Sequence, residues 1–307
     1  MIRQPATASP RRVLDVEHSP LDFGMPAGAC DCHVHVFGPY ERFPLSPHRV
    51  YMPGPAPIED LIAHQNALGL ERVVIVQPSI YGTDNSCMLH ALRRLGSQAR
   101  GIAVVDSGMP EPTLRELHEA GVRGLRVNLE TAGVADPEAI AQHIEASAAQ
   151  AAPFGWHLQV YTDLDIIATL HDRIQALPVP VVFDHFAKAR AEKGQHQTGL
   201  PALLSLMRSG KAYVKLSAPR RISARPDHAD AGEIARTLLK ANPERLLWGS
   251  DWPHPGAWPG IPRDPNRIEP LHPDDDGLAL NRLNTWMGDA ALMRQILVDN
   301  PARLYGF

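Results

Sequence analysis

The sequence predicts an α/β fold, a single (β/α)8 TIM barrel with its active site at the C-terminal mouth of the strands. Short runs of apolar, β-branched residues alternate with longer amphipathic stretches, which is the order expected of a parallel sheet buried on both faces. Eight such runs fall within 307 residues, and this number fits a closed barrel better than an open sheet.

Each predicted strand is a short apolar run, and an amphipathic stretch follows most of them. No glycine-rich phosphate-binding motif follows a strand, because Gly101 and Gly124 begin strands rather than open helices. This pattern disfavours a dinucleotide-binding sheet. The predicted strands are 29–36, 72–76, 101–105, 124–127, 157–160, 179–183, 213–216 and 246–248. The predicted helices are 58–68, 85–95, 111–120, 137–151, 164–175, 200–209, 233–241, 278–286 and 290–298.

Composition narrows the class of protein. The formal net charge is -4 and no basic stripe appears, which argues against nucleic acid as a partner. No apolar run reaches the roughly 18 residues of a membrane span, and the three cysteines fit a reducing, cytoplasmic compartment. We expect an N-terminal arm over 1–24 and one barrel domain over 25–307, either monomeric or homo-oligomeric.

Histidine and aspartate residues lie at the ends of three of the predicted strands. His33 and His35 lie two residues apart, so in a strand they face the same way. His185 follows the sixth strand and Asp251 follows the eighth. Taken singly, each residue is as readily a buried structural histidine or a helix cap as a functional group. Together at one barrel mouth, the four indicate a catalytic site.

Two long connections lie at the same mouth. Residues 37–57 follow the first strand, and residues 252–276 follow the eighth and are rich in Pro, Gly, Asp and His. In barrels of this kind, the loops that follow the strands form the active site.

Several segments together resemble one known family. The strand-one Asp-x-His-x-His, the later strand-end histidine and the strand-eight aspartate resemble the amidohydrolase superfamily (amidohydrolase 2). More narrowly, their order resembles the 2-pyrone-4,6-dicarboxylate hydrolase (lactonase) group. The segments are 28–39 (GACDCHVHVFGP), 76–79 (VQPS), 82–85 (GTDN), 124–126 (GLR), 183–185 (FDH) and 248–255 (WGSDWPHP).

The resemblance implies a hydrolase that opens the lactone of a small carboxylated acid. Asp251 would be the base that deprotonates water, while His33, His35 and His185 would polarise the lactone carbonyl. It implies that no metal is required, with a single zinc on these four residues as the alternative. A binuclear site is not expected, because 161–163 (YTD) offers neither the bridging lysine nor the late histidine of such sites.

The same resemblance implies which residues bind the substrate. Arginine matches a carboxylate in a bidentate way, so Arg126 and Arg221 are the expected anion ligands, with Arg221 a better match than Arg220. The remaining expected contacts are Tyr51, Ser79, Tyr161 and His254.

One position departs from the lactonase pattern. The dicarboxylate lactonase carries an arginine where this chain has Ala132, so the number of substrate carboxylates stays open. A muconolactone-type or sugar-acid lactone is an equal alternative to the pyrone. A lactone isomerase is the next alternative, followed by a zinc-dependent decarboxylase and by a barrel that binds an acid without turning it over.

Overall fold

The computed structural model describes residues 17–128 and 136–307 and confirms the predicted barrel. Eight parallel strands hydrogen-bond in sequence order, each to the next. Their segments are β1 Cys30–Val34, β2 Arg72–Val76, β3 Ala99–Ala103, β4 Val122–Asn128, β5 His157–Tyr161, β6 Val181–Phe183, β7 Ala212–Ser217 and β8 Leu246–Gly249.

Helices cover the outside of the sheet. In the described ranges, these are α1 Ile58–Leu68, α2 Ser86–Leu95, α3 Glu111–Glu119, α4 Pro137–Ala151, α5 Leu164–Thr169, α6 His171–Ala176, α7 Leu200–Arg208, α8 Ala231–Ala241, α9 Asp276–Met287, α10 Ala290–Arg294 and α11 Asn300–Tyr305. Across these residues, no helix is both long and apolar enough to cross a bilayer.

Many boundaries differ from the prediction by one or two residues, and four elements differ as follows. The first strand ends at Val34 instead of residue 36, because the chain there turns away from β2 towards the segment after β8. The third strand lies two residues earlier than predicted. The predicted helix 164–175 is broken at Leu170, whose ψ of 12° is not helical. The predicted helix 290–298 ends at Arg294 and continues as a π-helical turn, Gln295–Asp299.

The barrel closes where β1 meets β8. There the side chain of Asp31 replaces part of the backbone ladder: its Oδ1 accepts from the backbone N–H of His33 and of Ser250, each at 3.0 Å. The backbone N–H of Asp251 donates to the His33 carbonyl at 2.9 Å. A Cβ on Gly249 would lie 2.7 Å from the His33 Cβ, so only glycine permits this approach.

The described end of the N-terminal segment is anchored on α9. The backbone N–H and hydroxyl of Ser19 both donate to the Asp275 carboxylate, which also caps α9 through the N–H of Leu278. A Cβ on Gly277 would lie 2.0 Å from the Ser19 carbonyl oxygen, which explains the glycine. The extent of the arm and of the barrel domain stays a prediction, since residues 1–16 lie outside the described residues.

The junction between β1 and β8, which we call the seam, leads to a prediction about stability. Replacing Asp31 by Ala leaves two buried N–H groups without an acceptor, so D31A should lower the free energy of unfolding by about 2–4 kcal/mol. D31N keeps an oxygen at Oδ1 and should cost clearly less. Urea denaturation of the two variants measures the difference, and equal losses would show that Oδ1 does not hold the seam.

Candidate active site

The four residues predicted to be catalytic meet at the C-terminal mouth of the barrel. His33 lies on β1 and His35 just beyond its end, while His185 follows β6 and Asp251 follows β8. Asp251 Oδ1 lies 3.7 Å from the Nε2 of His33 and 3.8 Å from the Nε2 of both His35 and His185. All four side chains are buried.

Two of these residues adopt a backbone conformation that side chains rarely tolerate. Asp251 has φ 67° and His185 has φ 50°. A non-glycine residue in the left-handed region costs on the order of 1–3 kcal/mol and persists only where its surroundings fix it. The hydrogen bond from the Asp251 N–H to β1 is one such constraint.

The second oxygen of Asp251 is held by two guanidinium groups. Oδ2 lies 3.0 Å from Arg220 Nη2 and 2.8 Å from Arg221 Nη2. Both arginines belong to the short turn Pro219–Arg221 after β7. Burial by itself raises the pKa of Asp251, but the guanidinium groups of Arg221 and Arg220 act against burial, and the pKa lies well below its usual range. Asp251 is therefore ionised at neutral pH, with Oδ1 free of hydrogen bonds within the described chain.

The three imidazoles are neutral, because burial lowers the pKa of each of them. His35 Nδ1 lies 2.7 Å from the Val76 carbonyl oxygen, which can only accept, so its proton is on Nδ1. Nε2 of His35 therefore points a lone pair at the Asp251 carboxylate. It can accept a hydrogen bond or bind a cation, but it cannot donate.

His33 belongs to a buried ionic network below the site. Its Nδ1 lies 3.2 Å from Asp184 Oδ1 and 3.4 Å from the Lys215 ammonium. When the proton is on Nδ1, facing the carboxylate, this ring too presents a lone pair at Nε2. The ammonium of Lys215 lies 3.6 Å from Asp184 Oδ1 and donates to Gln159 Oε1 at 2.6 Å. Burial raises the pKa of Asp184, but His33 and Lys215 outweigh it, and the net direction is well below the usual value.

The sequence analysis missed this network. Asp184 and Lys215 are fully buried, yet neither was assigned a role. The signal was present in the sequence: Lys215 interrupts an otherwise apolar strand, and Asp184 immediately precedes His185. A charge in the middle of a buried strand needs a partner, because an unpaired buried charge is strongly unfavourable.

His185 is oriented by Ser217, whose hydroxyl oxygen lies 2.8 Å from Nδ1. A hydroxyl can donate or accept, so either tautomer satisfies this bond. When Ser217 donates, His185 carries its proton on Nε2 and can donate into the cleft. When Ser217 accepts, Nε2 is a lone pair like those of His33 and His35.

Three of the four residues, His33, His35 and Asp251, bring their ligand atoms close enough together to hold a single metal ion. A four-coordinate zinc with bonds of about 2.0–2.1 Å has its ligand atoms about 3.4 Å apart. The three imidazole Nε2 atoms lie 3.7–3.8 Å from Asp251 Oδ1, slightly beyond that spacing. Buried His33 Nε2 and Asp251 Oδ1 have no hydrogen-bond partner in the described chain. An ion would therefore satisfy atoms that are otherwise unpaired.

A cleft opens above these groups, and polar and cationic side chains make up much of its lining. Five of the six residues predicted to bind the substrate line it. Sequence analysis did not single out Asn128, Pro255, Gly256 or Arg263. The lining is His35, Tyr51, Ser79, Arg126, Asn128, Tyr161, His185, Arg221, Asp251, Pro255, Gly256 and Arg263.

His254 is the predicted substrate contact that does not line the cleft. Its backbone is left-handed, with φ 64°, and its ring points to the start of α9. There Nε2 lies 2.9 Å from Asp276 Oδ2, and the residue is 2% exposed. Ala132, where the lactonase pattern has an arginine, lies outside the described residues.

Together, the barrel and its mouth define a class of enzyme in which strand-end imidazoles and an aspartate form one polar centre. The chain belongs to the amidohydrolase family: the family model, Amidohydro_2, matches residues 30–307.

Two curated relatives and one solved structure are similar over nearly the whole chain. A 2-pyrone-4,6-dicarboxylate hydrolase from Comamonas testosteroni is 36% identical, covering 92% of this chain and 92% of that protein. A 4-sulfomuconolactone hydrolase from Rhizobium radiobacter is 35% identical, covering 94% and 93%. The crystal structure of a candidate 2-pyrone-4,6-dicarboxylic acid hydrolase from Pseudomonas putida is 31% identical, with a TM-score of 0.74, covering 91% of this chain and 97% of that one.

The charges around Asp251 predict the pH dependence of activity. A base with a lowered pKa stays ionised as the pH falls, so the acid limb of kcat/KM should lie well below pH 6.5, the usual pKa of an imidazole. R220Q removes one cation from Oδ2, raises the pKa of Asp251 and should move this limb up by about one pH unit.

The matched control is R225Q, which alters an exposed arginine a few positions beyond the turn. Its pH profile should equal that of the wild type. An unchanged acid limb in R220Q would mean that Asp251 is not the group that titrates.

Proposed function

We propose that this protein hydrolyses the lactone of a small acid that carries anionic substituents. The observation that carries the proposal is the free Oδ1 of Asp251, which faces three imidazole nitrogens below a cleft lined by arginines. Because Oδ2 is bound by two arginines, the carboxylate is held in one orientation, and the free Oδ1 can accept a proton from a water molecule in the cleft. The oligomeric state and a cytoplasmic location stay predictions.

In the proposed step, water lies between Asp251 Oδ1 and the lactone carbonyl carbon. Asp251 takes one proton as the water oxygen forms a bond to that carbon. The ring C–O bond then breaks, and the proton held by Asp251 passes to the departing ring oxygen. The products are a carboxylate and a hydroxyl group on one open chain, with the carboxylic acid proton released to solvent, so atoms and charge balance with one water consumed.

The hydrogen bonds suggest different roles for the three histidines. His35, with its proton on Nδ1, would accept the second hydrogen of the water at Nε2 and so orient it. His33 presents a lone pair in the same way when its proton is on Nδ1, facing Asp184. His185 is then the ring that can donate to the carbonyl oxygen, with Ser217 donating to its Nδ1. This reassigns the carbonyl-polarising role expected of all three to His185.

The substrate class follows from the cations in the cleft and from the names of the relatives. Arg126 donates through Nη1 to the Gln77 carbonyl at 2.8 Å, which fixes the guanidinium, and its buried Nε has no partner within the described chain. Because Arg126 lines the cleft, a carboxylate beside the lactone ring can bind its guanidinium group. A pyrone carboxylate or a sulfonated muconolactone fits this description.

We propose that no metal is required. Arg220 and Arg221 already place positive charge beside Asp251. Water can donate hydrogen bonds to the lone pairs on His33 and His35. A zinc ion, where bound, would be held by His33, His35, His185 and Asp251 and would supply Lewis-acid activation of the carbonyl or water.

Asp251 is tested by D251N, which keeps the shape of the side chain and removes the base. Turnover of 2-pyrone-4,6-dicarboxylate or 4-sulfomuconolactone should fall about 10²–10⁴-fold, as expected for loss of a general base. The exposed D227N is the matched control and should keep full activity. Undiminished turnover in D251N would refute the assignment.

NMR of the product tests the reaction class. Hydrolysis gives the open-chain acid with one oxygen from solvent, which ¹⁸O-water labels. A rearranged lactone without ¹⁸O would instead show a lactone isomerase, and release of carbon dioxide a decarboxylase.

Metal dependence is tested on the same preparation with a chelator. Enzyme incubated with EDTA and then freed of it should keep its activity and contain less than one equivalent of zinc. Loss of activity that only zinc restores, in the wild type but not in H35A, would place the ion on the four residues and overturn the metal-free proposal.

A further inference from the structure

Arg263 enters the active-site cleft from the long loop after β8. Its guanidinium carbon lies 3.9 Å from the centre of the Tyr51 ring, and both residues line the cleft that contains Asp251 and His185. This loop has no regular secondary structure around residue 263, and nothing in its sequence marked this arginine as part of the site.

Glu269 fixes the orientation of this guanidinium. Arg263 donates through Nε to Glu269 Oε2 at 2.8 Å and through Nη2 to Oε1 at 2.6 Å. A bidentate pair of this kind holds the planar group in one direction. Nη1 makes no hydrogen bond to any residue in 17–128 or 136–307, and the side chain is 30% exposed.

The other two arginines that line the cleft differ in the hydrogen bonds that they already make within the protein. Arg221 donates to Asp251 Oδ2 and to the Pro255 carbonyl, so it serves the base. Arg126 is fixed by Gln77 and has an Nε without a partner in the described chain. Of the three arginines that line the cleft, Arg126 and Arg263 are therefore the two that do not bind the base. A single carboxylate engages one guanidinium face, so the second calls for a second anion.

We propose that Arg263, stacked on Tyr51 and oriented by Glu269, forms a second anion subsite that selects lactones with two anionic groups. The inference rests on the proposed function for the substrate class, and Arg126 takes the first anion. The second anion is a carboxylate or a sulfonate, since both present oxygen acceptors to the free N–H groups of Nη1. Arg263 acts on substrate binding and leaves the chemical step to Asp251.

The test compares two ligands that water cannot open, pyridine-2,4-dicarboxylate and pyridine-2-carboxylate. Calorimetry should show that the wild type binds the dicarboxylate at least about tenfold more tightly, the gain expected of one charge-assisted hydrogen bond. In R263Q this preference should disappear, while affinity for the monocarboxylate stays within about twofold. R267Q, an exposed arginine of the same loop, is the matched control and should keep the preference.

Steady-state kinetics then distinguish a carboxylate from a sulfonate as the second anion. They also test the anion subsite separately from the proposed lactonase function. With 2-pyrone-4,6-dicarboxylate and with 4-sulfomuconolactone, R263Q should raise KM about 10–100-fold without changing kcat. The substrate whose KM responds more strongly identifies the anion that fits.

A wild type that binds both pyridine acids equally, or an R263Q that weakens both equally, would overturn the subsite and leave the Arg263–Glu269 pair a loop brace. A wild type that shows the binding preference but opens no lactone would refute the proposed function alone.

Discussion

The site depends on how the last strand of the barrel meets the first. Asp31 bonds to the N–H groups of both His33 and Ser250, and the Asp251 N–H bonds to the His33 carbonyl. Gly249 has no side chain to keep the strands apart. Because of this contact, a carboxylate that follows β8 lies 3.7 Å from an imidazole on β1. A seam opened by about one ångström would separate base, water and carbonyl, and catalysis is sensitive to displacements of that size.

Charge pairing makes this buried centre stable and sets its chemistry. Asp184 is balanced by Lys215, and Asp251 is balanced by Arg220 and Arg221. In both groups, the attraction between opposite charges offsets the free energy lost when the charges are removed from water. The same pairing makes Asp251 a weak base and leaves the imidazoles neutral. Activation of water must therefore come mainly from fixed position and from donors aimed at the developing charge, which is how preorganised sites work in general.

The site residues that lie at the ends of strands could be predicted from the sequence. His33, His35, His185 and Asp251 follow apolar runs, and a parallel barrel brings all such ends to one mouth. Sequence reasoning could not find Arg263, because residues 252–276 have no periodicity that fixes where a side chain points. The same limit applies to His254, whose left-handed backbone turns its ring to Asp276. Lys215 was recognisable as a charge in an apolar strand, but its partner required the fold.

The most direct test of the account is a crystal structure of the D251N variant with a two-anion lactone bound. We expect one water within hydrogen-bonding distance, about 2.6–3.2 Å, of both the side-chain amide at position 251 and His35 Nε2, and facing the lactone carbonyl carbon. The two anionic groups should lie against Arg126 and Arg263. A lactone carbonyl directed away from position 251, or a lactone bound outside the cleft, would contradict the account.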